Sequence, residues 1–225
     1  MAHPLDRPVW SALTTRQRHV AIGDAQAVRI DPSIGLFAAA ADEEPESLAA
    51  LAALVPKDGV VGVVEARLPP LPPPLRIIKQ ALCVQMVAEA PVPPSSIAFE
   101  PLGEADAADM LALATMTEPG PFFARTHTLG DFIGIRRSGR LVAMAGERLR
   151  VPGFTEVSGV CTHPGFRGRG YAAGLFATVA ARIVARGETP FLHAYADHAA
   201  TIALYERLGF RVRATLVYAQ IARGG

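Results

Sequence analysis

Cysteine is scarce: the 225-residue chain has only Cys83 and Cys161. Two thiols cannot staple a disulfide scaffold or complete a four-cysteine zinc site, and His, Cys, Asp and Glu nowhere fall at metal-ligand spacing, so no metal is expected. One bridge is chemically allowed, but reduced thiols in a cytoplasmic protein are the expectation. Neither sign of charge is in excess, since 22 basic and 21 acidic residues leave a net +1. Electrostatics therefore gives no reason to expect a nucleic-acid partner. Lysine is nearly missing, with only Lys57 and Lys79, and the arginine-heavy remainder fits a GC-rich bacterial genome as well as any functional demand. No uncharged apolar run reaches about 18 residues, so no membrane span is expected. Residues 1–10 hold Pro4, Asp6 and Pro8 and no apolar stretch, so no secretory leader is expected either.

What is plentiful is apolar surface. Hydrophobic residues make up 50% of the chain and charged residues 19%, enough to bury a core and to exclude global disorder. The length allows one large domain, or a medium domain with a smaller companion. Proline marks the division: Pro69, Pro70, Pro72, Pro73 and Pro74 crowd one segment, and Pro91, Pro93 and Pro94 another. Such runs favour extended polyproline geometry and continue neither a helix nor a central strand. They predict an N-terminal subdomain over residues 1–95 and a second domain over 96–225, with no internal repeat.

In the first part, residues 20–30 read as strand or hairpin, 45–54 as a helix with Glu44 and Glu46 at its anion-favouring start, and 60–66 as a short buried strand. Residues 75–88 fit helix or strand equally. No chemical motif precedes residue 95. The second part predicts a strand at 97–102 and a helix over 104–117 that Pro119, Gly120 and Pro121 stop. Strands follow at 132–136 and 141–149 around a Ser138-Gly139 turn, and a third at 155–161 after Pro152-Gly153. A glycine-rich loop at 165–170 leads into a helix over 171–186, with Gly187 at its stop. Then come a strand at 191–196, a helix at 199–208 capped by Gly209, and a last strand at 211–221. This order is of the α/β class: a mixed sheet covered by helices.

The loop carries the chemistry. In Val160-Cys-Thr-His-Pro-Gly-Phe-Arg-Gly-Arg-Gly-Tyr-Ala172, a strand ends at Pro164, three glycines let the backbone turn tightly, and a long helix begins at once. Several backbone N–H groups then converge at the positive end of a helix dipole, which binds phosphate. Arg167 and Arg169 add charge-assisted donors. The Gly-Lys-Ser/Thr of an ATPase loop is missing, which excludes that class. A dinucleotide fingerprint fits only loosely, as Gly168-x-Gly170-x-x-Ala173, and too few elements follow for a nucleotide-binding half sheet. A plain surface Arg-Gly turn is the remaining alternative for the loop taken alone.

The loop's Arg-x-x-Gly-x-Ala (Arg167, Gly170, Ala172) has the form of the acyl-CoA pyrophosphate loop of the GNAT N-acetyltransferase superfamily. Some 35 residues on, Leu204-Tyr-Glu-Arg-Leu-Gly-Phe210 resembles that superfamily's second signature. The element order from residue 97 to 221 is similar to the same fold. The resemblance covers about the last 130 residues and leaves the first 95 as an additional segment, with a degenerate second copy and a packing subdomain as the two readings of it. It implies a GNAT-like acyl-CoA acyltransferase fold and transfer of an acetyl group from acetyl-CoA, as co-substrate, to a primary amine on a small molecule or peptide. The reaction would be direct attack through a tetrahedral intermediate, in a monomer or homodimer. The competing class is a non-catalytic CoA-binding regulatory or interaction module.

The resemblance also implies roles. Val160, Cys161 and Thr162 match the strand whose exposed backbone pairs with the pantetheine arm; Val160 equally fits a plain core position. Arg167, Gly168, Arg169, Gly170, Tyr171 and Ala172 would hold the diphosphate. His198 stands where many relatives carry an asparagine that touches the cofactor arm, a departure from the pattern. Tyr205 would protonate the departing thiolate, phenol and thiol having comparable reference pKa values, about 10 and 8.5; its alternative is a tyrosine packed in the core. Glu156 matches a glutamate that some members use as general base where others use ordered water, and Glu147 is a weaker candidate. His193 would lie beside the slot, and His163 would shape the loop entry. Cys161 reads as a wall residue, because nothing in the sequence supplies the base a thiolate nucleophile needs. Phe122, Phe123, Arg125 and His127 would line the acceptor pocket or cap the core.

Overall fold

The computed structural model describes residues 3–89 and 95–224. Pro91, Pro93 and Pro94, one of the two proline runs, lie outside the described residues. In chain order the elements are α1 (Pro8–Thr14), β1 (Ala21–Gly23), β2 (Ala27–Ile30), β3 (Ala38–Ala40), α2 (Pro45–Leu54), β4 (Val61–Glu65), β5 (Leu75–Ala88), β6 (Glu100–Leu102) and α3 (Ala107–Thr117). They continue with β7 (Phe132–Arg137), β8 (Arg140–Val151), β9 (Phe154–Thr162), α4 (Tyr171–Ala185), β10 (Thr189–Tyr195), α5 (Ala199–Arg207) and β11 (Phe210–Arg223).

Local chemistry explains the connections. Ser138 and Gly139 both take positive φ, 51° and 78°, the primed geometry whose twist matches a two-residue hairpin between β7 and β8. Gly187, at φ 78°, follows the end of α4 as a left-handed cap. Pro45 opens α2 at a position where its missing N–H costs nothing.

β1, β2 and β3 form a small sheet of their own, and the other strands make an eight-stranded sheet in the order β4-β11-β5-β10-β9-β8-β7-β6. Among the described residues, β9 and β10 are the one pair of neighbouring strands in this sheet that run parallel, and Phe37 adds a single parallel bridge to Gly62 of β4. Neighbouring residues face opposite sides, as strand pleat requires. Leu192, Val84 and Met86 pack with Leu175, Phe176, Val179 and Ile183 of α4. Phe191, Cys83 and Leu216 pack on the other side with Leu5, Val9, Leu13 and Phe37 from the N-terminal segment.

The division expected at residue 95 does not separate two sheets. β4 and β5 lie before it and belong to the same sheet as β7 to β11, with β5 inserted between β10 and β11 and antiparallel to both. That pairing also decides residues 75–88 in favour of strand. Six of the 14 residues of β5 are solvent-exposed, so no burial periodicity announces it; ladder hydrogen bonds to strands more than 100 residues away hold it. The strand expected at 97–102 is confined to Glu100–Leu102, and the following helix starts with a tight turn at Glu104–Asp106. α1 was not foreseen.

Candidate active site

The site begins where two parallel strands part. β9 and β10 pair only over Thr189 with Phe154, Pro190 with Thr155 and Phe191 with Glu156. Beyond Glu156 the strands diverge, so the edge of β9 from Val157 to Thr162 has no strand partner on that side among the described residues. A bulge reshapes the same stretch. Met144 opposes Cys161 and Gly146 opposes Ser158, so Gly159 and Val160 together face the single residue Ala145. Gly159 takes φ +63°, and a Cβ there would sit 3.0 Å from the Phe132 ring. Glycine is therefore required both by conformation and by space, and the bulge turns the Val160 backbone toward the gap. An isolated glycine within a strand pattern was the available signal for it.

At one end of the gap lies a cradle of about 410 Å³, lined by Val160, Cys161, Thr162, Arg167, Gly168, Arg169, Gly170, Tyr171 and Ala172 among others. Gly168 and Gly170 take φ 78° and 75°, and a Cβ on either would meet nothing within 4 Å. Both glycines thus serve a left-handed backbone rather than close packing. Gly170 caps α4, whose first N–H groups point out of the helix end. Arg169 stacks on Phe166 at 5.3 Å, and Arg137 reaches the Tyr171 hydroxyl at 3.1 Å. Arg137 is a third cation at this loop, one that no sequence motif marks. Thr162 Oγ1 is buried with no partner among the described residues, an orphaned polar atom in the cradle wall. A diphosphate-bearing group with amides in its arm fits this donor set. His163 accepts from the Gly165 N–H at 3.1 Å and so holds the loop entry.

At the other end lies a chamber of about 250 Å³. Its lining comes from Phe37 before β3, Val64 of β4, Cys83 of β5, Glu118 to Pro121 after α3, Arg148 of β8, Tyr195 of β10, Tyr205 of α5 and Tyr218 of β11. Val160 lines both chamber and cradle. His198 lines the chamber and not the cradle, stacked edge-on to Tyr195 at 5.3 Å. Phe122, Phe123, Arg125 and His127 line neither. Phe122 packs on Phe132, Phe123 joins the N-terminal core, Arg125 meets Ser33, and His127 bonds Glu104 at 2.8 Å.

Tyr205 packs against Phe176 at 4.7 Å, and burial pushes its phenol up to about 12. It is protonated at neutral pH, its hydroxyl is without a partner among the described residues, and it lines the chamber. The thiols of Cys161 and Cys83 are raised by burial to about 11, so both stay protonated and poorly nucleophilic.

Glu156 differs from the expectation of a base. It is wholly buried and gripped on one edge by Arg148, whose Nε and Nη2 donate at 2.8 and 2.7 Å. It also accepts from the Leu149 N–H at 3.2 Å and contacts His193 Nδ1 at 2.7 Å. Burial alone would raise its pKa, but the charge and hydrogen bonds of Arg148, with His193, carry it well below the carboxylate range. A carboxylate held this firmly ionised is a poor proton acceptor. His193 Nε2 in turn contacts the Gln85 amide at 3.1 Å, which also donates to Leu5 O at 3.0 Å. Glu147 is likewise tied to Arg150 and Arg186, at 2.5 and 2.6 Å.

A second bulge aims Arg148. Glu147 opposes Val157 and Arg150 opposes Thr155, leaving Arg148 and Leu149 opposite Glu156. The backbone groups this frees are met by Gln17, buried after α1, which donates to Arg148 O at 2.7 Å and accepts from the Arg150 N–H at 3.0 Å. The N-terminal segment therefore holds the strand that carries the guanidinium.

A sheet that splays beside a glycine-rich helix start, with a second cavity reached across the gap, defines an acyl-CoA acyltransferase architecture. The comparisons give the family. Over the whole of both chains, the structure is similar to a crystal structure from Novosphingobium aromaticivorans described as an acetyltransferase of the GNAT family, at 45% identity and a TM-score of 0.94. A GCN5-related N-acetyltransferase from Kribbella flavida matches in fold at 20% identity and a TM-score of 0.63, over 96% of this chain and 95% of its own. A GCN5-related N-acetyltransferase-like protein from Streptococcus suis matches at 14% and 0.60, over 94% and 92%. The family model described as FR47-like protein matches residues 132–219. No curated protein sequence matches the chain. The chain belongs to the GNAT family.

Proposed function

We propose that the protein is an acetyl-CoA-dependent N-acetyltransferase that passes the acetyl group directly to a primary amine. The observation that carries this reading is the shared wall at Val160: the cradle on one side and the chamber on the other meet at an unpaired, bulged strand edge. Acetyl-CoA, when bound, supplies an activated thioester. The N-terminal N–H groups of α4, with Arg167 and Arg169, would hold its diphosphate. The free edge of β9 and Thr162 Oγ1 would take the amides of its arm. A β9 backbone N–H would meet the charge that develops on the carbonyl oxygen, a pre-aimed dipole needing no reorganisation. Tyr205, a phenol protonated at neutral pH, would donate to the departing sulfur; burial makes it a weaker acid than a free phenol, so its part rests on its place in the chamber wall and not on a matched pKa. Glu156 positions Arg148 and His193 instead of accepting a proton. The amine's proton leaves through water in the chamber, where Glu118 is a lining carboxylate with no arginine partner among the described residues.

The test is release of free thiol from acetyl-CoA across a panel of amines. Amine-dependent release is expected. Calorimetric binding of acetyl-CoA with no release for any amine would instead make the chain a non-catalytic CoA-binding module.

A further inference from the structure

The guanidinium of Arg148 is only partly used. Of its five N–H bonds, Glu156 takes two, on the Nε/Nη2 edge. One face lies against the Phe37 ring, with Cζ 5.1 Å from the centroid. Nη1 has no partner among the described residues and lies 3.8 Å from where a Gly120 Cβ would be, on the chamber wall. The remaining Nη1/Nη2 end is thus a pre-aimed, planar fork of donors. Its rotamer is fixed by the β8 bulge, by Glu156 and by Phe37. Such a fork complements a carboxylate. The rest of the chamber agrees. Tyr195 and Tyr218 supply aromatic walls, and Lys79 Nζ, 5.7 Å over the Tyr195 ring, adds positive potential on that side. Glu118, at the end of α3 where the helix dipole favours cations, supplies a negative group to the same chamber.

We infer that the acceptor is an amine that also carries a carboxylate, of the amino-acid class, and that Arg148 is the specificity residue that binds this carboxylate through its open fork. The inference rests on the acetyl-transfer reading and names its second substrate. It also gives the N-terminal segment a role: Phe37 stacks the guanidinium and Gln17 secures the bulge that aims it.

The experiment compares matched acceptors with acetyl-CoA as donor: phenylalanine, phenylalaninamide and phenethylamine, with parallel sets built on tyrosine and leucine. In at least one set the carboxylate-bearing member should exceed its uncharged partners in kcat/KM by roughly 10- to 100-fold, the range of a charge-assisted hydrogen-bond pair. Amides and simple amines used as well as amino acids in every set would overturn the inference while leaving the transferase reading intact. A turnover-free arm separates the two further. N-acetylphenylalanine and the other N-acetylated members are titrated calorimetrically into wild type and into Arg148→Gln/Glu156→Gln. This double variant replaces the buried pair by neutral isosteres and leaves no orphaned charge. Affinity for at least one of them should fall by roughly tenfold or more in the variant, with an unchanged melting temperature as the folding control. No binding to wild type, or equal binding to both, would overturn the inference.

Discussion

The cradle and the chamber lie on either side of Val160 and are built on opposite principles. The cradle is essentially one run of chain, residues 160–173, joined by Thr117 and Leu204. Its donors are largely backbone N–H groups, and its special residues are glycines with positive φ. The chamber is lined from β4, β5, β8, β9, β10, β11, α5 and three loops, with positions as distant as Phe37 and Tyr218. Its specific groups are side chains, and they are held by other side chains: Gln17 on the β8 backbone, Glu156 on Arg148, His193 on Glu156, Gln85 on His193. Recognition of a diphosphate needs only a short loop at a helix end. Selection of an acceptor needs a cavity whose shape belongs to the whole sheet.

If that contrast is right, the chamber should fail through stability and the cradle through affinity. The largest effect is expected for Glu156→Ala. It leaves Arg148 buried without a counter-charge, and breaking a buried pair in this way costs about 3–5 kcal/mol. Urea unfolding should show the loss, and a change within 1 kcal/mol would mean the network is dispensable. The sign with pH follows from the carboxyl's lowered pKa. The unfolded value is about 4.3, so the stabilisation is whole above that pH and drains away as pH falls toward the folded value. The acid limb of wild-type stability should therefore be steeper than that of the variant.

Tyr205→Phe comes next and probes the junction. Removing the proton donor should lower kcat by roughly 100-fold. Acetyl-CoA affinity, measured calorimetrically, should move less than about threefold, or under 1 kcal/mol. Wild-type turnover in the variant would pass the donor role to water. Arg167→Ala is smaller and lies wholly in the cradle. Loss of one charge-assisted contact should weaken acetyl-CoA binding roughly tenfold, with the melting temperature little changed because the side chain is at the surface. An unchanged Kd would detach the loop from phosphate binding.

The same contrast explains what could be read from the sequence. A contiguous cradle leaves a contiguous trace, so Arg167, Gly170 and Ala172 could be found by spacing, and so could the helix bearing Tyr205. The hairpins showed because Ser138-Gly139 and Pro152-Gly153 punctuate them. The chamber left no such trace. Phe37 and Arg148 look like any aromatic and any arginine, and only the register of β8 on β9 brings Arg148 opposite Glu156. Glu156 was visible as a position but not as a chemical state, because its arginine lies across a bulge. β5 stayed ambiguous since six of its 14 residues are exposed and its partners are distant. Phe122 to His127 left two readings open, pocket wall or core cap, which polar and aromatic residues after a helix cannot separate; Phe122 and Phe123 pack on core residues, and none of Phe122, Phe123, Arg125 and His127 lines the chamber.

The smallest expected effect is none at all, at Cys161. Its place in the cradle wall beside the proposed thioester path invites a covalent route in which the acetyl group first moves to the enzyme. Burial has raised its thiol to about 11, so roughly one molecule in ten thousand carries thiolate at pH 7. Direct attack by an amine needs no such species. Intact-mass analysis after incubation with acetyl-CoA and no acceptor should show an unmodified chain, and iodoacetamide should alkylate Cys161 far more slowly than a free thiol. A stable gain of one acetyl group on Cys161, discharged by added amine, would replace direct transfer with a two-step route. It would also mean that the cradle aims a side chain as well as a backbone edge, which would erase the division of labour between the two cavities.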